Sequence, residues 1–100
     1  MALQLKPFDA ARYLSTEEDH ADLLADAFAT GDQTYIANAL GVVARATGMS
    51  QVARDAGVTR EALYKALSPT GDPKLSTLLG VMKALGVSLT ATPSHPAERT

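Results

Sequence analysis

The chain has 100 residues, no cysteine and a formal net charge of −2, and 46% of its residues are hydrophobic but only 5% aromatic. This length suits one small domain, and the absence of cysteine excludes a disulfide framework, a thiolate metal site and a cysteine nucleophile. No apolar run approaches the roughly 20 residues that span a membrane, and the first residues lack the pattern of a secretion signal. We therefore expect a cytoplasmic protein, helped by a second subunit to bury its apolar surface. Frequent Ala and Leu favour helices, so the predicted fold class is all-α.

The N-terminal part predicts an arm, one helical turn and an acidic helix. Residues 3–8 alternate apolar and polar side chains, and residues 9–14 follow as a short helical turn. Ser15 or Thr16 then caps a helix that Gly31 ends. Acidic residues fill the first turn of this helix, where the helix dipole favours negative charge.

The third predicted helix has the strongest periodicity in the chain. Asp32 is placed to cap it and Gly48 to end it. Its apolar residues keep the i, i+3, i+4 spacing of a helix with one buried face. These residues are Tyr35, Ile36, Ala39, Leu40, Val43 and Ala46.

Two short helices follow around a glycine. Ser50 is predicted to cap a helix over residues 51–56, and Gly57 is suited to the left-handed conformation that stops it. Thr59 is then predicted to cap a helix over residues 60–67. The sequence therefore predicts a close helical pair with a tight turn.

The C-terminal part predicts one more helix and then an irregular end. Asp72 as cap and Pro73 at the first helical position would open a helix that reaches Gly86. Residues 87–92 alternate apolar and polar side chains, so they either form a short strand with the N-terminal arm or fray. The expectation is one domain of five or six helices over residues 1–92, with short terminal β-strands as an open alternative, and a disordered tail over residues 93–100.

The segment around residues 50–67 has the features of a helix–turn–helix. This motif needs a small residue where the helices touch, a flexible turn and a buried anchor on the second helix, and Ala53, Gly57 and Leu63 provide them in that order. A polar face is left outward, as a reader of the DNA major groove requires, although a solvated face of an ordinary helical hairpin has the same pattern. The candidate DNA-binding residues are Ser50, Gln51, Thr59, Arg60, Glu61, Tyr64, Lys65, Ser68 and Lys74.

Charge is divided unevenly along the chain. Residues 1–44 have a formal charge of −5, whereas residues 45–83 have +3. The basic centre contains the predicted motif and suits contact with phosphates. The acidic helix could meet a cationic surface of a toxin, or its first turn is acidic only because the helix dipole favours it.

Nothing in the pattern of residues indicates an enzyme. His20 and His95 are the only imidazoles, and neither has a carboxylate at metal-ligand spacing on a convincing element. We expect His20 to be solvated. No glycine-rich phosphate loop follows a strand and no serine lies in a nucleophile elbow, so we expect no catalysis, metal or cofactor.

A family resemblance adds to this interpretation. The run GMSQVARDAGVTREALYKALSPTGDPKLSTLLGVMKALGV, residues 48–87, resembles the Xre or phage-repressor type of helix–turn–helix domain. Together with FDAARYL and GDQTYIANALGVVARATGMSQVA, it resembles more narrowly the addiction-module antidotes, which are close in kind to HigA-type antitoxins. The resemblance covers nearly the whole chain except the tail.

The resemblance implies a five-helix repressor-like domain that binds a palindromic operator as a homodimer. It also implies that the protein neutralises a RelE-like ribonuclease toxin and represses the shared operon. Gln51 and Thr59 would hold phosphates, and the positions implied to face base edges are Arg60, Glu61, Tyr64 and Lys65. Glu61 would either read cytosine or restrain Arg60, and the net charge of −2 predicts weak non-specific binding to DNA. A stand-alone regulator and a protein-interaction module without DNA binding are the alternatives.

Overall fold

A computed structural model describes residues 17–93, and this part of the chain is all-helical. Five helices follow one another, and the described residues contain no strand. The helices are α1 (Glu17–Thr30), α2 (Gln33–Thr47), α3 (Met49–Ala56), α4 (Arg60–Ala66) and α5 (Leu75–Ala84). None of them is long and apolar enough to cross a membrane.

The junction between α1 and α2 follows its sequence signals. Gly31 has φ 67°, the left-handed conformation that lets the chain leave α1. The Asp32 carboxylate accepts hydrogen bonds from the backbone N–H groups of Thr34 and Tyr35, at 3.0 and 3.2 Å. These bonds satisfy donors that have no partner within the helix, so the predicted cap and both helix boundaries here are confirmed.

Helix α3 lies at the centre of the helical packing and contacts α2, α4 and α5. Helices α3 and α5 approach each other closely, since a Cβ built on Gly80 would lie 2.9 Å from the Cα of Ala56. Side chains of all five helices form one apolar cluster, whose fully or almost fully buried members include Leu24, Leu40, Val43, Val52, Leu63, Val81 and Leu85. The short α3 and α4 are therefore stabilised by this shared core rather than by their own length.

Two predicted caps are wrong. Helix α3 begins at Met49, directly after Gly48, whose carbonyl already accepts the N–H of Val52. Ser50 therefore lies inside the first turn and makes no cap. Helix α5 begins at Leu75 with Lys74, whose backbone is extended, in the cap position, and residues 71–74 have no regular secondary structure, so Asp72 lies too early to cap it.

The burial of His20 also contradicts the expectation of a solvated side chain. Leu23 and Leu24 follow His20 by three and four positions, which places the three side chains on one face of α1 together with Ala27. The His20 side chain is only 5% exposed, and neither ring nitrogen has a hydrogen-bond partner among residues 17–93.

Only one of the two predicted terminal strands lies within the described residues. Residues 87–93 are described and have no regular secondary structure. The arm over residues 3–8, the turn over residues 9–14 and all of the predicted tail except Pro93 lie outside the described residues.

Candidate nucleic-acid interface

The turn between α3 and α4 is set by Gly57. Its backbone has φ 77° and ψ 26°, which is left-handed and which residues with a side chain adopt at a cost. The N–H groups of Gly57 and Val58 donate to the carbonyls of Arg54 and Ala53, at 3.1 and 3.0 Å. The predicted conformation of Gly57 is confirmed, and it directs α4 away from the axis of α3.

Helix α4 is anchored by its apolar face. Leu63 is fully buried, Leu67 is 5% exposed, and Ala53 of α3 is 2% exposed, as the spacing predicts. The end of α4 also lies against α2, because a Cβ built on Gly41 would be 3.2 Å from the carbonyl oxygen of Leu67. Contacts with two helices leave only one side of α4 for solvent.

The N-terminus of α4 is capped as the sequence predicts. The hydroxyl oxygen of Thr59 accepts a hydrogen bond from the N–H of Ala62 at 3.0 Å. This bond fixes the first turn of α4, on which Arg60 and Glu61 are exposed.

The outward face of α4 contains a cation stacked on an aromatic ring. The guanidinium carbon of Arg60 lies 5.6 Å from the centre of the Tyr64 ring, within the range of a cation–π contact. The two residues are one helical turn apart, and Tyr64 is 41% exposed. The contact restricts the guanidinium but leaves its N–H groups available to acceptors in solvent.

The remaining predicted residues differ in how available they are. Lys65 is exposed, whereas Ser68 is partly buried and its hydroxyl donates to the carbonyl of Lys65 at 2.8 Å. Ser50 and Gln51 are exposed on the first turn of α3, and Lys74 is exposed just before α5. The structure brings Arg60 together with Tyr64, and it bonds the hydroxyls of Ser68 and Thr59 to backbone groups of α4.

One residue that positions this surface was missed by the sequence analysis. The side-chain amide of Gln33, at the start of α2, donates to the carbonyl of Gly71 at 2.9 Å. Gly71 is buried, and a Cβ there would lie 2.6 Å from the carbonyl oxygen of Lys65. Gln33 thus holds the loop that leads from α4 to Lys74.

The chemistry of this face is hydrogen-bond donation. It offers guanidinium, ammonium, hydroxyl and amide groups, which are the groups that contact phosphates and base edges. Within residues 17–93, no group of His, Asp and Glu side chains is arranged to hold a metal ion.

Comparison with known proteins gives the family. A family model described as "Probable addiction module antidote protein" matches residues 4–93. The chain belongs to this family of antidotes. A protein of Haemophilus influenzae whose description is "Uncharacterized protein" is 49% identical to it over 87 residues, which are 87% of this chain and 90% of the relative. No solved structure was found to match the chain.

The predicted resemblance to addiction-module antidotes is therefore confirmed. Membership of an antidote family implies a toxin as partner and favours a regulatory role over catalysis. The narrower assignments, to HigA-type antitoxins and to phage-repressor helix–turn–helix domains, stay predictions.

Proposed function

We propose that this antidote is a cytoplasmic, sequence-specific DNA-binding antitoxin that represses its own operon and neutralises a RelE-like ribonuclease toxin. The observation that supports DNA binding most strongly is the outward face of α4. A capped helix presents an arginine and a tyrosine to solvent while its opposite face is locked into the core.

In this proposal α3 and α4 are a helix–turn–helix and α4 is the recognition helix. An α-helix with its side chains is about 10–12 Å in diameter, so α4, which has seven residues, fits into a major groove about 12 Å wide. Recognition helices of this kind contact base edges with their N-terminal residues, which here are Arg60 and Glu61. An arginine can donate two hydrogen bonds to guanine, and a glutamate can accept one from cytosine.

Contacts to phosphates would orient the recognition helix. Ser50, Gln51, Thr59 and Lys74 are exposed at the borders of the helical pair, and each has a group that can donate to a phosphate oxygen. Thr59 can do so with its hydroxyl hydrogen while its oxygen caps α4. The formal charge of +3 over residues 45–83 supports this binding, although the chain as a whole has −2.

A homodimer would give the affinity that one short helix lacks. Two recognition helices related by a twofold axis bind half-sites about one helical turn, roughly 34–36 Å, apart on a palindromic operator. The antidote family supports the antitoxin role over a stand-alone regulator, because an antidote requires a toxin to neutralise.

A reporter assay and a growth assay test the two halves of this proposal. The DNA upstream of the gene is fused to a reporter, and we expect the wild-type protein to lower expression and Arg60→Ala to restore it. Lys83→Ala removes the same amount of charge from the basic region but none of the candidate DNA-binding residues, so it is the matched control and should keep most of the repression. Co-expression should also rescue growth from the protein of the adjoining reading frame. Equal reporter expression with and without the wild-type protein would contradict repression, and absence of rescue would contradict neutralisation.

A further inference from the structure

A groove on the side of α1 is lined by apolar residues and opens to solvent. It lies between α1 and residues 87–93 and has a volume of about 800 Å³. Leu24, Phe28 and Met82 line its buried part, and the small, exposed Ala21 and Ala25 line its mouth. We call this opening the α1 groove.

A row of carboxylates borders the α1 groove. Glu18, Asp22 and Asp26 are exposed at i, i+4 and i+8 on α1, next to the alanines that line the mouth. The row is about 12 Å long, with a carboxylate about every 6 Å. Helix α1 contains no Lys or Arg, so like charges repel along the row without a compensating cation on the same helix.

We propose that the α1 groove binds a basic segment of the toxin, whose apolar face fills the groove and whose Lys or Arg side chains pair with the row. This inference rests on the proposed antitoxin function and assigns its binding surface. The toxin fits this surface by charge: the row is acidic, and a protein that cleaves RNA must hold phosphates with a cationic surface. The alanines favour it sterically, since small side chains let a second backbone approach closely.

Two variants test the acidic row and the apolar groove separately. Asp22→Lys reverses a charge at the border of the groove, and Ala25→Gln puts a long polar side chain into its mouth. A charge at the border of an interface acts mainly on the association rate, whereas contacts in the buried part act on dissociation. Asp55→Lys and Ala62→Gln make the same changes at exposed positions of α3 and α4, away from the groove, and are the matched controls.

The experiment measures binding of the full-length variants to the purified product of the adjoining reading frame by surface plasmon resonance. We expect Asp22→Lys to slow association about tenfold at low salt, and Ala25→Gln to accelerate dissociation about tenfold. Both control variants should bind as the wild type does. No variant alone should melt below the wild type, and Asp22→Lys should melt slightly higher because it relieves the repulsion along the row. The sedimentation mass of each variant alone should match that of the wild type.

The possible results separate failure of this inference from failure of the proposed function. Unchanged affinity of both groove variants for a partner that the wild type binds would overturn the inference and leave the antitoxin role intact. Equal losses in the control variants would overturn it too. A lower melting temperature or a changed mass without the partner would show that the groove holds the chain's own termini or a second copy, and would overturn it. No binding by the wild type would overturn the antitoxin role together with the inference.

Discussion

Two single residues have different proposed roles in DNA binding, Arg60 as a base contact and Lys74 as a phosphate contact. Arg60 projects from the first turn of the recognition helix and is held by the Tyr64 ring, whereas Lys74 is exposed in the loop before α5. We predict that Arg60→Ala loses preference for the operator, by about 1–3 kcal/mol, because a base contact disappears. Lys74→Ala should weaken binding to all DNA sequences. It should also reduce the slope of the logarithm of affinity against the logarithm of salt concentration by about 1, because one phosphate contact is lost.

Competition titrations with operator and random DNA at several salt concentrations measure both effects. If both variants lose specific and non-specific binding in the same proportion, the two roles assigned here are wrong.

A second prediction concerns the buried imidazole of His20. Its two ring nitrogens are buried and have no hydrogen-bond partner in the part of the chain that the structure describes, and an unsatisfied buried polar group costs about 1–3 kcal/mol. His20→Leu keeps a side chain of similar bulk and removes the polar atoms, so it should raise the free energy of unfolding by about 1 kcal/mol. Urea denaturation followed by circular dichroism measures this change. A destabilised His20→Leu would mean that the imidazole binds a group worth more than the cost of burying it.

Residues whose role depends on near neighbours could be predicted from the sequence. Asp32 and Thr59 cap helices and Gly57 takes the left-handed conformation because the groups that they contact lie two to four positions away. Gln33 could not be found this way, since its partner Gly71 is 38 positions distant. Tyr64 was predicted as a base contact, but its spacing of four from Arg60 also indicates the ring contact now seen.

Among the helices, the packing of α5 against α3 sets the position of α3 and α4 in the fold. A Cβ at Gly80 would lie 2.9 Å from the Cα of Ala56, and backbone cannot move aside as the tip of a side chain can. We predict that Gly80→Val forces α5 away from α3 and lowers the free energy of unfolding by about 3 kcal/mol, toward the upper end for overpacked cores.

Ser76→Val is the matched control for this change, because it introduces the same β-branched residue at an exposed position of α5. Thermal denaturation of the two variants compares them. Similar melting temperatures for Gly80→Val and Ser76→Val would mean that the two helices do not need this close contact.

Helices were predicted more successfully than their first residues. Apolar spacing predicted the longer helices, because burial of one face follows from periodicity, whereas the short α3 and α4 were predicted from the glycine and the caps around them. The predicted starts of α3 and α5 each differ from the observed ones by two residues, because neighbouring residues compete for the cap position. Gly48 both ends α2 and precedes α3, so Ser50 is left inside a helix, and the loop from Gly71 delays α5 beyond Asp72.

At the scale of the whole molecule, opposite charges are carried by different elements. Acidic residues concentrate on α1, whereas the basic residues of the centre lie from α2 onward and include the exposed face of α4. The sequence already indicated this division, but it could not show that an apolar groove lies beside the acidic row, since that groove needs residues from both ends of the described chain. The proposed DNA and toxin surfaces therefore use separate helices.

A mobility-shift titration tests whether the protein binds DNA sequence-specifically through α4. The wild-type protein is titrated onto the DNA upstream of its own gene and onto a scrambled duplex of equal length and composition, at two salt concentrations. We predict a shift of the upstream DNA at lower protein concentration, which persists at the higher salt while binding to the scrambled duplex disappears. Equal shifts of both duplexes, or no shift of either at low salt, would contradict such binding and leave the outward face of α4 as a solvated surface.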